Sequence, residues 1–342
     1  MEYRSLGHTG IKVSTLCLGA MMFGPRGNPD HDDCVKIVHR ALDAGINFID
    51  TADVYSHGES ETIVGKALAS VDRDKVVLAT KVHGAMGDDP NQQGNSRRWI
   101  MTEVENSLRR LGVDYLDLYQ MHRPDPDVEI EETLGALTDL QHAGKIRAFG
   151  TSTFPAYQIV QAQWAAERHG LSRFLTEQPP YSILVRGIEA DVLPVAQEYG
   201  MGVLPWSPLA GGWLSGRYGT GKENTSNRAK AGQFSSRYDV TLPTNQRKIE
   251  VVDQLQNLAD KAGLTLVELA VSFVINHPAI TSAIIGPRTM EQLETQLGVP
   301  DVKLSEETLD AIDALVPPGT NLVPGEMGYT PPALSRAALR RR

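Results

Sequence analysis

Four residues of this sequence could together transfer a proton to an oxygen atom: Asp50, Tyr55, Lys81 and His122. A tyrosine hydroxyl has an ordinary pKa of about 10, so alone it is a weak acid and a weak base at neutral pH. An adjacent ammonium group favours the phenolate and lowers that pKa. With Lys81 as the ammonium, Asp50 fixing its position and His122 donating to the same oxygen, we expect Tyr55 to act as a general acid, which contributes roughly 10²–10⁴-fold to a rate.

Each of these residues also has an ordinary structural explanation when it is considered alone. Asp50 precedes a threonine and could cap a turn, Lys81 could be a surface charge, and His122 could simply end a strand before Arg123 and Pro124. The hypothesis therefore depends on a fold that brings the four residues together. No serine or cysteine has an obvious base partner and no second carboxylate stands out, so the sequence does not favour hydrolysis.

A recurring order of elements predicts such a fold. After an opening hairpin over 3–13, short apolar runs alternate with segments of helical periodicity. The predicted strands lie at 16–19, 47–50, 75–81, 115–122, 145–152, 174–178, 201–206 and 283–286. The predicted helices lie near 32–44, 59–69, 97–111, 129–143, 155–169, 188–199, 246–262, 265–277, 289–297 and 305–315.

Eight strands, each followed by a helix, predict an α/β protein, a (β/α)8 barrel of the TIM type. Only a crossover helix returns the chain to the start of the next parallel strand. An open dinucleotide-binding sheet is disfavoured because no G-x-G-x-x-G follows the first strand. We expect one barrel domain over 1–342, with an N-terminal β-hairpin and extra C-terminal helices. A loop insertion at about 213–245 and a tail at about 316–342 are long enough to be lids or binding walls.

The C-terminal ends of parallel barrel strands meet at one mouth, where the loops carry function. Polar or aromatic residues stand at seven consecutive predicted strand ends: Asp50, Lys81, His122, Ser152, Gln178, Trp206, and Gly286 with Arg288. Taken together, they predict a site that contains a carboxylate, an ammonium group and an imidazole, with the Tyr55 phenol close behind Asp50.

Composition excludes several other classes of function. Lys and Arg number 33 and Asp and Glu number 42, for a net charge of −9, so we expect no nucleic-acid partner. The two cysteines cannot form a disulfide framework, and no metal-ligand spacing is present. No run of 18 apolar residues and no apolar signal core occur, so we expect a cytoplasmic protein without a membrane partner.

Five segments of the sequence form long, ordered motifs. They lie at 47–55 (NFIDTADVY), 80–81 (TK), 107–122 (SLRRLGVDYLDLYQMH), 206–212 (WSPLAGG) and 284–286 (IIG). In these segments, and along nearly its whole length, the sequence resembles the aldo-keto reductase family. The resemblance implies a (β/α)8 barrel that reduces aldehyde or ketone carbonyls to alcohols with NADPH. It also implies that Asp50, Tyr55, Lys81 and His122 form the catalytic tetrad, with Tyr55 as the proton donor.

The resemblance further implies how the cofactor is bound. The nicotinamide would lie against Trp206, with its amide bound by Ser152 and Gln178. Arg288 argues for NADP over NAD, because a guanidinium can bind a 2′-phosphate bidentately. The other implied cofactor positions are Gly19, Met21, Asp50, Ser207, Leu209, Gly286, Gln292 and Gln296, together with Arg217 and Arg228, which could equally be surface arginines.

Some positions depart from the pattern of the family. Thr153 stands where many relatives have asparagine, and Ala20 stands where threonine is common. Thr295 and Gln296 replace the glutamate and asparagine that often bind the adenine. These departures concern cofactor contacts and leave the tetrad intact.

Two other functions stay open at this point. The similar potassium-channel β subunits indicate a nucleotide-binding regulatory subunit with slow reductase activity, although they commonly carry asparagine where His122 stands. A barrel lyase could use Lys81 as a Schiff-base nucleophile, but a lysine beside Asp50 should stay protonated and be a poor nucleophile. The complete tetrad favours the reductase.

The sequence leaves the carbonyl substrate and the oligomeric state open. Specificity is expected in the loops 83–96, 123–130 and 213–245 and in the tail. Apolar residues that could line the mouth are Met22, Phe23, Met86 and Trp99.

Overall fold

A computed structural model describes residues 1–222, 235–335 and 339 of the chain. It shows the predicted (β/α)8 barrel, preceded by the predicted antiparallel hairpin, with β1 at Tyr3–Ser5 and β2 at Lys12–Ser14. Arg228, which the resemblance places near a cofactor phosphate, lies outside the described residues.

Eight parallel strands form the barrel wall in chain order. They are β3 (Leu16–Gly19), β4 (Phe48–Asp50), β5 (Val77–Val82), β6 (Leu116–Met121), β7 (Ile146–Ser152), β8 (Thr176–Gln178), β9 (Gly202–Val203) and β10 (Ala283–Ile285). β10 pairs with β3, and the backbone N–H of Ile284 donates to the carbonyl of Pro205 at 2.8 Å on the other side. The sheet therefore closes between the seventh and eighth barrel strands.

Alternation along the strands decides which side chains reach the barrel interior. Phe48, Ala79 and Leu118 belong to an inner apolar cluster, which the buried hairpin residues Leu6 and Val13 also join. Because side chains two residues apart share a face of a strand, the next inward positions after these three are Asp50, Lys81 and Gln120. The two-residue alternation of the strands therefore explains both the apolar interior of the barrel and the polar side chains at its mouth.

Helices cover the outside of the barrel. They are α1 (His31–Asp43), α2 (Glu59–Leu68), α3 (Arg97–Leu111), α4 (Ile130–His142), α5 (Ala156–His169), α6 (Val192–Glu198), α7 (Ser235–Tyr238), α8 (Pro243–Lys261), α9 (Leu266–Asn276), α10 (Met290–Leu297), α11 (Glu306–Leu315) and α12 (Pro332–Ser335). The bounds of α3 agree with the predicted helix over 97–111. The Ser96 side chain accepts from the N–H of Trp99, and Gly112 ends the helix in the left-handed conformation.

Most predicted elements differ from the structure by one or two residues at an end, and the three that differ more do so at prolines. The helix predicted at 188–199 is divided into a 3₁₀ turn at Gly187–Glu189 and α6, because Pro194 is tolerated only in the first turn of a helix. The strand predicted at 201–206 is reduced to β9, since Pro205 has no N–H to donate. The helix predicted from 246 begins three residues earlier, with Pro243 in its first turn.

The C-terminal tail returns to the barrel. Glu326, in a 3₁₀ turn at Pro324–Glu326, forms ion pairs with Arg237 of α7 and Lys248 of α8. These contacts link the tail to the region that follows β9. In the part of the chain that the structure describes, no helix has both the length and the apolar character needed to cross a bilayer.

Candidate active site

Lys81 brings three of the four predicted catalytic residues together. Its Nζ atom donates to Asp50 Oδ1 at 2.5 Å, to the carbonyl of Thr51 at 2.8 Å and to the Tyr55 hydroxyl oxygen at 3.2 Å. Lys81 is completely buried. Burial alone would lower the pKa of Lys81, but the Asp50 carboxylate and the Tyr55 oxygen raise it above its usual value. The lysine is therefore an ammonium group at neutral pH, which disfavours a Schiff-base role.

The second carboxylate oxygen of Asp50 accepts from two glutamines. Gln178 Nε2 lies 2.9 Å from Oδ2, and Gln120 Nε2 lies 3.1 Å from it. Gln178 Nε2 also lies 3.2 Å from Gln120 Oε1. Sequence reasoning missed Gln120, although it stands two residues before His122 on the same face of β6 and pairs with Lys81 across the sheet. These bonds fix the orientation of Asp50, and through it the position of the ammonium group.

His122 lies beside the Tyr55 ring. The two ring centroids are 5.7 Å apart and the rings meet edge-on, at an interplanar angle of 79°. Burial lowers the pKa of His122 well below its usual value, and the positive charges of Lys81 and Arg123 lower it further. The imidazole is therefore neutral at neutral pH, so it carries a single N–H donor.

The backbone directly after Tyr55 is strained. Ser56 and His57 have φ values of 50° and 52°, in the left-handed region that few residues other than glycine adopt. The Ser56 hydroxyl donates to the carbonyl of Phe23 at 3.0 Å and so stabilises this turn. Because strained backbone concentrates at functional sites, the turn supports a role for the residue that it positions, Tyr55.

The predicted nicotinamide positions lie at the ends of β7, β8 and β9. Ser152 is buried and its hydroxyl donates to the carbonyl of Gln178 at 2.9 Å. Trp206 follows β9 and is partly buried, and its Nε1 atom has no hydrogen-bond partner among the described residues. Thr153 has a φ of 61°, which asparagine tolerates better than a β-branched residue does. The threonine at position 153, where many relatives have asparagine, therefore strains the local backbone.

The tail contacts this same surface. Gly328 has a φ of 82°, and a Cβ atom on it would lie 2.9 Å from Trp206 Cζ2 and 3.0 Å from Thr153 Cγ2. Only glycine permits this approach. Sequence reasoning predicted a wall from the tail, but it did not identify Gly328, because the contact depends on the tertiary fold.

The predicted phosphate and adenine positions lie farther along the same face. The Ser207 hydroxyl accepts from the N–H of Gly211 at 2.7 Å in a tight turn that contains Leu209. The exposed Arg217 has its Nε atom 3.1 Å from the Ser215 hydroxyl. Ser207 and Leu209 therefore belong to one turn directly after Trp206, and Arg217 follows that turn at the surface.

Beyond β10, the backbone around Arg288 is well anchored. Asn28 Nδ2 donates to the carbonyl of Arg288 at 2.9 Å, and the N–H of Arg288 donates to Gln292 Oε1 at 3.1 Å. Gln296 is buried, donates to the Gln292 carbonyl at 2.6 Å, and leaves its Oε1 atom without a partner in the described residues. Gly286 is exposed.

Some predicted mouth residues belong to the core instead. Phe23 and Trp99 are buried in the hydrophobic layer between the strands and the helices, whereas Met21 remains 37% exposed. Gly19 packs closely against β10, since a Cβ atom there would lie 2.6 Å from Ile284 Cγ2. In the described part of the chain, no group of three or more His, Cys, Asp or Glu residues could bind a metal ion.

Comparisons with known proteins show which family the chain is similar to. The model of the Aldo/keto reductase family matches residues 15–317. The chain is 37% identical to the uncharacterized oxidoreductase YrpG of Bacillus subtilis, over 97% of this chain and 99% of that protein. It is 35% identical to a putative voltage-gated potassium channel subunit beta of Schizosaccharomyces pombe, over 96% of each chain. It is also 32% identical to versiconal hemiacetal acetate reductase of Aspergillus parasiticus, over 92% of this chain and 96% of that protein.

Proposed function

The chain belongs to the aldo/keto reductase family, and we propose that it reduces the carbonyl group of a small aldehyde or ketone to an alcohol with NADPH. One observation carries the proposal: an ammonium group, buried and paired with Asp50, lies 3.2 Å from the Tyr55 hydroxyl oxygen. This arrangement stabilises the phenolate that Tyr55 becomes when it gives up its proton.

The reaction adds one hydride and one proton to the carbonyl group. When bound, the nicotinamide of NADPH supplies the hydride to the carbonyl carbon. Tyr55 donates its hydroxyl proton to the carbonyl oxygen as negative charge develops there, and Lys81 stabilises the phenolate that results. A proton from water restores the Tyr55 hydroxyl after the alcohol leaves. Asp50 acts indirectly, because it keeps Lys81 charged and in place.

His122 orients the carbonyl group. A neutral imidazole beside Tyr55 can donate its one N–H to the carbonyl oxygen without competing as an acid. The charge of Lys81 disfavours a second positive charge on the imidazole. The proton should therefore come from Tyr55 and not from His122.

The residues around Trp206 fit a nicotinamide dinucleotide. Gln178 uses its Nε2 atom for Asp50 and Gln120, and no described residue donates to its Oε1 atom. This leaves an acceptor for a carboxamide N–H on the side chain that orients Asp50. Trp206 would contact the ring, Ser152 would bind the amide, and Arg288 would bind a 2′-phosphate, which favours NADP over NAD.

The other proposed cofactor contacts follow the same face of the barrel. They are Gly19, Met21, Ser207, Leu209, Arg217, Gly286, Gln292 and Gln296.

The cofactor preference is tested with purified protein and a reactive aldehyde such as 4-nitrobenzaldehyde, with NADPH and NADH compared at equal concentration. We expect faster oxidation of NADPH. Arg288→Gln should raise the Kd of NADPH about tenfold or more, because a charge-assisted bidentate contact is lost, and should leave the Kd of NADH unchanged. No NADPH oxidation with any reactive aldehyde or ketone would contradict the proposal.

A second candidate is a nucleotide-binding regulatory subunit with slow reductase activity. The similarity to a putative channel β subunit, at 35% identity over 96% of each chain, supports it. His122 favours the reductase, since a neutral imidazole beside Tyr55 serves carbonyl binding. Slow turnover together with stable co-purification of a channel protein would favour the regulatory subunit.

A further inference from the structure

Arg123 lies at the mouth of the barrel beside the proposed catalytic residues. It follows His122 directly, and its guanidinium group turns back so that Nη1 lies 2.5 Å from the His122 carbonyl oxygen. Its charge also interacts with the Tyr55 phenol, which follows β4, and with Glu177 of β8. The guanidinium therefore lies beside His122 and close enough to Tyr55 to act on its charge, next to the two residues that are proposed to contact the carbonyl oxygen.

Arg123 lacks the partner that comparably buried arginines have. Arg73 pairs with Asp117 at 2.6 Å, Arg110 with Glu61 at 2.6 Å, and Arg186 with Asp313 at 2.7 Å. Among the described residues, no carboxylate oxygen lies within 4.0 Å of the Arg123 guanidinium. A half-buried cation without a counter-ion is costly, and an arginine cannot lose its proton to avoid that cost.

The nearby carboxylates are committed to other contacts. Asp125 accepts from the backbone N–H groups of Asn95 and Asp127 and so fixes the loop after β6. Glu177 accepts from the Thr151 hydroxyl and from the N–H of Phe154. Burial raises the pKa of Glu177 to about 7, so near neutral pH it is only a partial counter-charge for Arg123. The positive charge at the mouth therefore remains largely uncompensated within the protein.

We infer that Arg123 binds an anionic group of the substrate, so that the chain prefers aldehydes that carry a carboxylate or a phosphate. The fork of a guanidinium matches the paired oxygens of either group, and the contact is strengthened where water is partly excluded. Arg123 can select substrates only if the chain reduces carbonyl compounds, so this inference rests on the proposed function.

A competing role for Arg123 makes a different prediction. The guanidinium could instead stabilise the Tyr55 phenolate, since the two groups interact electrostatically. In that case its removal would lower kcat for every carbonyl substrate. A role in substrate binding would instead raise KM, and only for anionic substrates.

The test compares two aldehydes that differ mainly in charge, 4-carboxybenzaldehyde and methyl 4-formylbenzoate. Arg123→Gln should raise KM for the acid about 10- to 100-fold, the effect of losing a charged hydrogen bond, and should change KM for the ester less than about threefold. Arg123→Lys retains the charge without the fork and should lie between the wild type and Arg123→Gln. Glyceraldehyde 3-phosphate and glyceraldehyde form a second pair, which distinguishes a phosphate from a carboxylate preference.

Arg173→Gln is the matched control, because Arg173 is exposed and precedes β8 at the opposite end of that strand. It should leave KM for all four substrates unchanged, and the Kd of NADPH should be unchanged in all three variants. An equal loss on the acid and the ester in both Arg123 variants would overturn the inference while the proposed function stands. If the wild type reduces 4-nitrobenzaldehyde but neither aldehyde of the pair, the inference alone is overturned. If it reduces no reactive aldehyde or ketone, the inference falls together with the proposed function.

Discussion

Two groups of buried charges lie on opposite sides of the barrel wall near the end of β4. The inner cluster consists of Asp50, Lys81 and Tyr55, and the outer cluster consists of Asp53, Glu61, Glu103 and Arg110. The inner cluster has one carboxylate and one ammonium group, both buried and in contact. The outer cluster has three carboxylates around a single guanidinium, with Arg110 Nε 2.6 Å from Glu61 and its Nη2 bonded to Glu103.

The charge balance distinguishes the proposed active site from the outer cluster. In the inner cluster each charge has its counter-charge, and the remaining polar atom, the Tyr55 hydroxyl, is only partly buried. In the outer cluster burial raises the pKa of Asp53 well above its usual value, and the charges of Glu61 and Glu103 raise it further. The raised pKa favours the neutral carboxyl group, and the buried Oδ2 atom of Asp53 has no partner among the described residues.

Strand alternation explains why both clusters can exist so close together. Thr80 and Lys81 are neighbours in β5 and point to opposite faces of the sheet. The Thr80 hydroxyl donates to Glu61 at 2.6 Å in the outer cluster, whereas Lys81 serves the inner cluster. The motif at 47–55 thus supplies one carboxylate to each cluster, Asp50 to the proposed active site and Asp53 to the outer cluster.

The largest expected effect comes from removing the cation of the inner cluster. Lys81→Met should lower kcat roughly 10²–10⁴-fold, because the Tyr55 phenolate loses its stabilising charge. The measurement is NADPH oxidation at saturating aldehyde and cofactor. A variant that stayed folded and kept near wild-type kcat would remove the distinction between the two clusters.

Removing the cation of the outer cluster should affect stability instead. Arg110→Met leaves Glu61 and Glu103 buried without their counter-charge, which we expect to cost about 3–5 kcal/mol in the free energy of unfolding. At denaturant concentrations below the unfolding transition, the kcat of Arg110→Met should stay within about threefold of the wild-type value. Denaturant unfolding and steady-state kinetics on the same preparation check both values. A fall in kcat equal to that of Lys81→Met, without loss of stability, would contradict a structural role.

Asp53→Asn should change the free energy of unfolding by a smaller amount, and the change should depend on pH. The folded-state pKa of Asp53 is raised above its unfolded-state pKa. The protonated carboxyl group therefore contributes stability that is fully present below the unfolded-state pKa and is lost as the pH rises toward the folded-state pKa. An asparagine does not titrate, so Asp53→Asn should gain stability relative to the wild type as the pH rises above about 4, by an amount on the order of 1 kcal/mol.

Asp50→Asn provides the matched comparison, because it makes the same chemical change in the inner cluster. It should lower kcat about tenfold or more, whereas Asp53→Asn should leave kcat within about threefold. The measurements are kcat for both variants and unfolding midpoints between pH 4 and 8. Equal activity losses in the two variants would contradict the comparison.

The sequence predicted those parts of the molecule that local patterns determine. The helix over 97–111 was predicted at its bounds because its apolar period is bordered by a Ser96 cap and by Gly112. The approach of Asp50 and Lys81 followed from their positions at the ends of neighbouring strands. The prediction of one continuous helix over 188–199 was wrong, because it followed the apolar periodicity and neglected the effect of Pro194.

Other site features depend on contacts between distant segments. Gln120 reaches Asp50 because β6 pairs with β5 in one particular register. Gly328 reaches Trp206 because the tail folds back over the mouth. The missing counter-ion of Arg123 is evident only in the structure, where Asp125 and Glu177 accept hydrogen bonds from other groups. Neither register nor ion pairing between remote segments can be read from a single sequence.

The rate of NADPH oxidation by Tyr55→Phe tests the central claim most directly. The substitution removes one hydroxyl group and keeps the ring beside His122, so the site should stay intact. We predict a kcat roughly 10²–10⁴-fold below that of the wild type, with the Kd of NADPH within about twofold. Near wild-type turnover by Tyr55→Phe would show that the proton comes from another group and would contradict the account.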